Sequence, residues 1–178
     1  GAEQPMTGKV AVGSEAPNFD LTSTEDVVLM LRDEVTRMAM VLYFFADPDS
    51  DRARSDLRVL ADRQQTLKEQ TATILGICPA KLPVLKQLQQ DLELPFPLLT
   101  DDRKFSLAYG VGTESEEAEP QPALMLVDRR QRIAWQANPV TSVDGDLLEL
   151  QKVLAGLGAT TSNYPRSVIN RLVARFVS

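Results

Sequence analysis

Apolar and polar positions alternate along this chain in blocks of two kinds. Met38 to Ala46 (MAMVLYFFA) is a nine-residue run without charge, rich in aromatic and branched side chains. A strand covered by helices on both faces has this composition, so the run predicts a central strand with parallel neighbours. The next stretch, DPDSDRARSDLRVLADRQQTLKEQ, places Ala53, Leu57, Leu60, Gln64 and Leu67 at four- and three-residue steps with charge elsewhere. That period predicts an amphipathic helix, with Asp49 or Ser50 as its N-cap.

The alternation continues. TATILGIC predicts a second buried strand, and AKLPVLKQLQQDL a helix with Leu82, Leu85, Leu88 and Leu92 on one stripe. PALMLVD and RIAWQA read as two strands joined by a turn at Arg129 to Gln131, and a helix from Gly145 to Leu157 closes the unit. Upstream, VGSEAPNFDLTS carries Pro17 and a short alternation that suits an edge strand or hairpin. Parallel neighbours need helical crossovers and only hairpins allow short links, so the order predicts an α/β fold: a mixed central sheet covered by helices on both faces.

The ends differ from this body. Residues 1–9 show no apolar period and predict a flexible tail, leaving a domain over 10–158. Residues 159–178 carry Arg166, Arg171 and Arg175 with no acid, and predict a linker followed by a short basic amphipathic helix. Its apolar side holds Val168, Ile169, Leu172, Val173 and Phe176. Docking on its own domain is the ordinary role of such a helix; contact with a protein partner or self-association through Val168, Leu172 and Phe176 is the functional one.

Composition removes several chemistries. The chain has no histidine and one cysteine, which excludes Ser-His-Asp and Cys-His catalysis, His-built zinc or haem sites, Cys-x-x-Cys pairs and any internal disulfide. No cofactor or metal site is expected. Nineteen basic against 25 acidic residues give a net charge of -6, which argues against nucleic acid as the main partner. Nine uncharged residues are about half of what a membrane-spanning helix needs, so no membrane span is expected. The reading is a cytoplasmic protein, although Gly1 and Ala2 open the chain without a methionine and leave room for a removed targeting segment.

VGSEAPNFDL, VLYFFADPDS, ILGIC, LPFPLLTD, AYGVG and ALMLVD, in this order, resemble the peroxiredoxins of the AhpC/TSA group, and most of all the bacterioferritin comigratory, PrxQ-like branch. The likeness covers about residues 10–157. Its most specific parts are Val12, Gly13, Ala16, Pro17 and Phe19 in the opening block and Leu94 to Asp101 in the later one. The resemblance implies a thioredoxin-like fold with an N-terminal extension, and an antioxidant oxidoreductase activity.

It also implies where that activity would reside, and there the residues depart from the pattern. The family site is PxxxTxxC after the central strand, with an arginine from a later strand. Matching VLYFFA to the family strand puts Ala46 at the proline, Ser50 at the threonine and Ala53 at the peroxidatic cysteine. Counting back from Asp128 puts Pro122 at the arginine. Starting the motif at Pro48 instead would bring Arg52 and Ser55 to the key places, still without a thiol. A thiolate nucleophile needs a helix N-terminus and a nearby cation to form at neutral pH; the segment here carries Asp47, Asp49 and Asp51.

Two readings follow. The first is a peroxiredoxin-like scaffold that lacks the peroxidatic cysteine and active-site arginine and acts as a binding or structural module. The second is an atypical thiol peroxidase or peroxide sensor using Cys78, with thioredoxin or a small thiol as reductant. Cys78 ends a strand at the sheet edge that carries the family site, with Lys81 as its one visible cationic neighbour; the plain alternative is a small buried apolar residue. Arg52 and Arg54 are read as a solvated face pairing with Asp49 or Asp56, or else as an anion site. Tyr43, Phe44, Phe45 and Trp135 are expected in the core or on a sheet face. The acid-rich ESEEAEP at 114–120 is expected to be a mobile loop, with metal binding the lesser alternative.

Overall fold

The computed structural model describes residues 10–102, 104–111 and 121–159. The 159–178 helix, the 114–120 loop and the N-terminal tail therefore lie outside the described residues, apart from Ala159 at the end of the last helix. The chain begins with an antiparallel pair, β1 (Asp20–Thr22) and β2 (Val28–Met30), and a single turn of helix, α1 (Leu31–Glu34). Then come β3 (Ala39–Phe44), α2 (Asp51–Glu69), β4 (Ala72–Cys78), α3 (Leu82–Leu92) and β5 (Leu98–Thr100). The last elements are α4 (Lys104–Ala108), β6 (Ala123–Val127), β7 (Ile133–Ala137) and α5 (Val143–Ala159).

Five strands form one sheet in the order β5-β4-β3-β6-β7. β3 pairs in parallel with β4, and β4 with β5, through the α2 and α3 crossovers; β6 runs antiparallel to β3, and β7 antiparallel to β6. All six residues of β3 are buried, as the uncharged run predicts for the middle strand of a covered sheet.

The alternation of a strand divides β3 between two cores. Val41, Tyr43 and Phe45 face α2, α3 and α5, through Leu57, Leu60, Leu85, Leu147 and Leu150. Met40, Leu42 and Phe44 face the other way, onto Phe19, Leu31 and Tyr109. Both faces are thus covered, but unequally. The three long helices share one face, while the opposite face is closed by α1, α4 and the N-terminal segment.

The predicted helical stripe of α2 is the buried one: Ala53, Leu57, Leu60, Gln64 and Leu67. Of the four leucines on α3, Leu85 and Leu88 are buried and Leu82 and Leu92 are half-buried at its ends. β4 carries a glycine as the register partner of Leu98, and the fit is close: a Cβ on Gly76 would overlap Leu98 Cδ2 and touch Phe45 unless Leu98 shifted. Among the described residues no helix is long and apolar enough to cross a membrane.

Candidate functional site

Where β3 ends, Phe45 and Ala46 carry the chain off the sheet and a short acidic turn delivers it to α2. The Asp47 carboxylate accepts the Asp49 N–H at 2.8 Å, closing that turn on itself. Ser50 takes the N-cap position; its Oγ accepts the Ala53 N–H at 3.2 Å, which satisfies one of the free donors of the first helical turn. Of the two predicted caps, Ser50 does the capping.

A cavity of about 340 Å³ opens at this junction. Ala46, Ser50 and Ala53 form one side of it, and Gln121 and Pro122, just before β6, form the other. The four positions matched to the family pattern from the sequence, Ala46, Ser50, Ala53 and Pro122, lie around one space. Their atoms are three aliphatic groups and a hydroxyl.

Apart from the Ser50 hydroxyl, the polar chemistry at the cavity comes from other residues. Tyr43, buried and stacked on Phe45 with ring centroids 5.5 Å apart, donates its hydroxyl to Asp56 Oδ2 at 2.7 Å. Arg52 Nε lies 3.4 Å from the same oxygen, and Arg52 Nη2 donates to the Val140 carbonyl at 2.9 Å. Burial, and then the Asp56 charge, push the Tyr43 phenol far above its ordinary range, so the hydroxyl keeps its proton. Arg54 lies 3.9 Å from Asp49. The pairing expected for the two arginines is present, but Arg52 is also a wall of the cavity and is tied to a carbonyl beyond β7.

The sequence signal for this trio was available in one place. Asp56 falls in phase with the apolar stripe of α2, next to Leu57 and between Ala53 and Leu60, and a charged residue there must find a buried partner. Tyr43, an inward-facing aromatic of β3 with a hydroxyl to satisfy, is that partner.

Cys78 lies behind the cavity and does not line it. Its side chain is fully buried, with Sγ 3.8 Å from the Ala46 carbonyl oxygen. Burial raises the thiol to about 12, the nearby Asp47 and Asp101 charges add to the rise, and an N–H of Ala80 only partly opposes it. A reactive cysteine needs exposure and positive charge around it. Lys81, the cation expected beside it, is the exposed N-cap residue of α3. Asp101 is itself buried, and its carboxylate holds the Ser106 hydroxyl and the Ser106 N–H.

A five-stranded mixed sheet, with a central strand that delivers the chain into a helix beside a cavity at the sheet's edge, defines a thioredoxin-like fold of the peroxiredoxin type. The chain belongs to the AhpC/TSA family, whose pattern matches residues 12–136. It is similar to the peroxiredoxin bcp of Coxiella burnetii, with 29% identity over an alignment of 149 positions that covers 79% of this chain and 96% of that one. It is also similar to the chloroplastic peroxiredoxin Q of Oryza sativa subsp. japonica, with 24% identity over 158 residues, 88% of this chain and 72% of the other. Among solved structures it superposes on the peroxidoxin BcpB of Mycobacterium tuberculosis with a TM-score of 0.76 at 15% identity, covering 82% of this chain and 97% of that one. A Cys-to-Ser variant of Xylella fastidiosa PrxQ gives 0.73 at 20% identity, covering 87% and 99%. These relatives place the chain with the PrxQ-like peroxiredoxins and support the fold inferred from the block order.

Proposed function

We propose that this chain is a peroxiredoxin-fold protein that has lost thiol peroxidase chemistry and works as a binding or structural module. The observation that carries the reading is the methyl group of Ala53 at the cavity wall, at the position that the sequence match to the family pattern assigns to the thiol. Peroxide reduction needs a thiolate to attack one peroxide oxygen while positive charge steadies the other. In this reading Ala53 supplies no nucleophile, Pro122 supplies no guanidinium, and the one cysteine of the chain keeps its proton.

The test is consumption of hydrogen peroxide and of an organic hydroperoxide in excess dithiothreitol, beside a Cys78→Ala control. The reading expects no turnover above buffer from either protein. Turnover that disappears in the control would overturn it in favour of the atypical peroxidase or sensor centred on Cys78, with thioredoxin or a small thiol as reductant. The partner surface in this reading is the basic segment at 159–178, with Val168, Leu172 and Phe176 on its apolar side. Removal of residues 164–178 should then change the hydrodynamic size or the set of captured partners, and no change in either would remove that segment from the reading.

A further inference from the structure

The cavity beside α2 keeps a binding site's layout although its family pattern has no thiol. Its floor and sides are apolar: the stacked rings of Tyr43 and Phe45, with Ala46, Ala53 and Pro122 around them. Its charged groups are of both signs. Asp47 brings a carboxylate to the lining, and Arg52 brings a guanidinium.

Neither charge is used up by the fold. Asp47 spends Oδ1 on the Asp49 N–H, which leaves Oδ2 without a partner among the described residues. Arg52 spends Nε on Asp56 and Nη2 on the Val140 carbonyl, which leaves Nη1 without one, and its side chain is 44% exposed. Those two contacts hold the guanidinium in place, so an incoming group meets a fixed donor rather than a free side chain. Ser50 accepts through its oxygen at the helix cap, which leaves the hydroxyl proton to donate.

A lone anion would meet Arg52 but also the Asp47 and Asp56 carboxylates; a lone cation would meet Asp47 but also Arg52. A ligand that carries both signs over a short span and an apolar body satisfies both charges and the apolar walls at once. We infer that the cavity binds a small zwitterion, an α-amino acid with an apolar side chain. Its carboxylate faces Arg52 and Ser50, its ammonium faces Asp47, and its side chain lies against Tyr43, Phe45 and Ala53. At about 340 Å³ the space is at the small end of the range for ligand pockets, in keeping with a ligand of this size. The inference rests on the non-peroxidase reading, since it assigns the same space to a ligand rather than to a peroxide.

The test is calorimetric titration of the intact chain with L-leucine, with 4-methylpentanoate, which lacks the ammonium, and with 3-methylbutylamine, which lacks the carboxylate. Saturable binding of leucine is expected, with each single-charge probe at least about tenfold weaker, the scale set by one lost charged hydrogen bond. Asp47→Asn should weaken leucine but tighten 4-methylpentanoate, which then no longer meets that carboxylate, and Arg52→Gln should weaken both. Ala53→Leu should abolish binding by filling the space, with circular dichroism confirming that the variant is folded. Absence of saturation with leucine, or a single-charge probe that binds as well as leucine, overturns the inference and does so on the unsubstituted protein. Peroxide turnover is read separately. Turnover would sink the underlying reading, while no turnover and no leucine binding would sink only the zwitterion site.

Discussion

The Tyr43 hydroxyl and the Asp56 carboxylate, one on the central strand and one on the helix that covers it, meet in a 2.7 Å hydrogen bond beneath the cavity. The contact is what allows a charged residue to occupy the buried stripe of α2. Tyr43→Phe removes the donor and keeps the ring, so the Asp56 carboxylate is left with Arg52 alone. A hydrogen bond to a buried charged group is worth roughly 1.5–3 kcal/mol, and a loss in that range is expected in denaturant unfolding, with little change in the transition's slope. An unchanged midpoint would mean that water replaces the phenol.

The N-cap of α2 is a separate case, because its side chain also lines the cavity. Ser50→Ala leaves the Ala53 N–H without its acceptor and should cost about 1 kcal/mol of stability. Ser50→Asp should recover most of that loss, and thermal melts of the two variants beside the parent chain would check the pair.

Cys78 offers a chemical readout. With the thiol buried and raised to about 12, a thiol reagent at pH 8 should leave the folded protein unlabelled and react promptly once denaturant is added. Rapid labelling of the folded chain would contradict the buried placement.

The same shift has a consequence for stability at alkaline pH. The folded thiol holds its proton more tightly than the unfolded one, whose ordinary value is about 9, so its contribution is intact below that pH. Above it the unfolded chain ionises first, and stability falls by up to about 1.4 kcal/mol for each pH unit until the folded thiol ionises too. Tyr43 and Tyr109, also raised by burial, add to the fall, so the cysteine's share is the difference from a Cys78→Ala chain, whose unfolding free energy should decline less steeply between pH 9 and 11.

Gly76 tests the packing between β4 and β5. Gly76→Ala places a methyl group against the buried side chain of Leu98 and should cost roughly 1–3 kcal/mol, as overpacking of a tight core does. Leu98→Val in the same chain should relieve part of that cost, and the non-additivity in a double-mutant cycle is the measurable sign of their contact.

The sequence made the sheet's middle legible and its fringes hard to read. β3, β4, β6 and β7, and the helices α2, α3 and α5, follow runs long enough for a period to show, and α5 begins two residues earlier than the glycine predicted for it. β2 and α1 were not foreseen, because VVLMLRDEV changes from strand to helix at Leu31 within one apolar stretch and three residues carry no period. β1 is the short strand suggested within residues 12–23, but its partner comes from Val28–Met30. β5 and α4 are likewise too brief to announce themselves.

The candidate site divides in the same way. Ala46, Ser50, Ala53 and Pro122, the positions matched to the family pattern from the sequence, line one cavity. Arg52's bond to Val140 is not local and leaves no trace in either neighbourhood, and within MAMVLYFFA the Tyr43 hydroxyl is masked by the apolar run around it.

The bond between Arg52 and the Val140 carbonyl joins residues 88 positions apart and crosses from the first half of the sheet to the second. Its formation closes a long loop, which costs chain entropy early and is repaid only when the β3–β6 seam has formed. The cavity, lined in part by Gln121 and Pro122, is therefore absent from any fragment that ends before β6. A molecule seated there would hold the two halves of the chain together, and its occupancy would raise the resistance of the whole domain to unfolding rather than that of one helix.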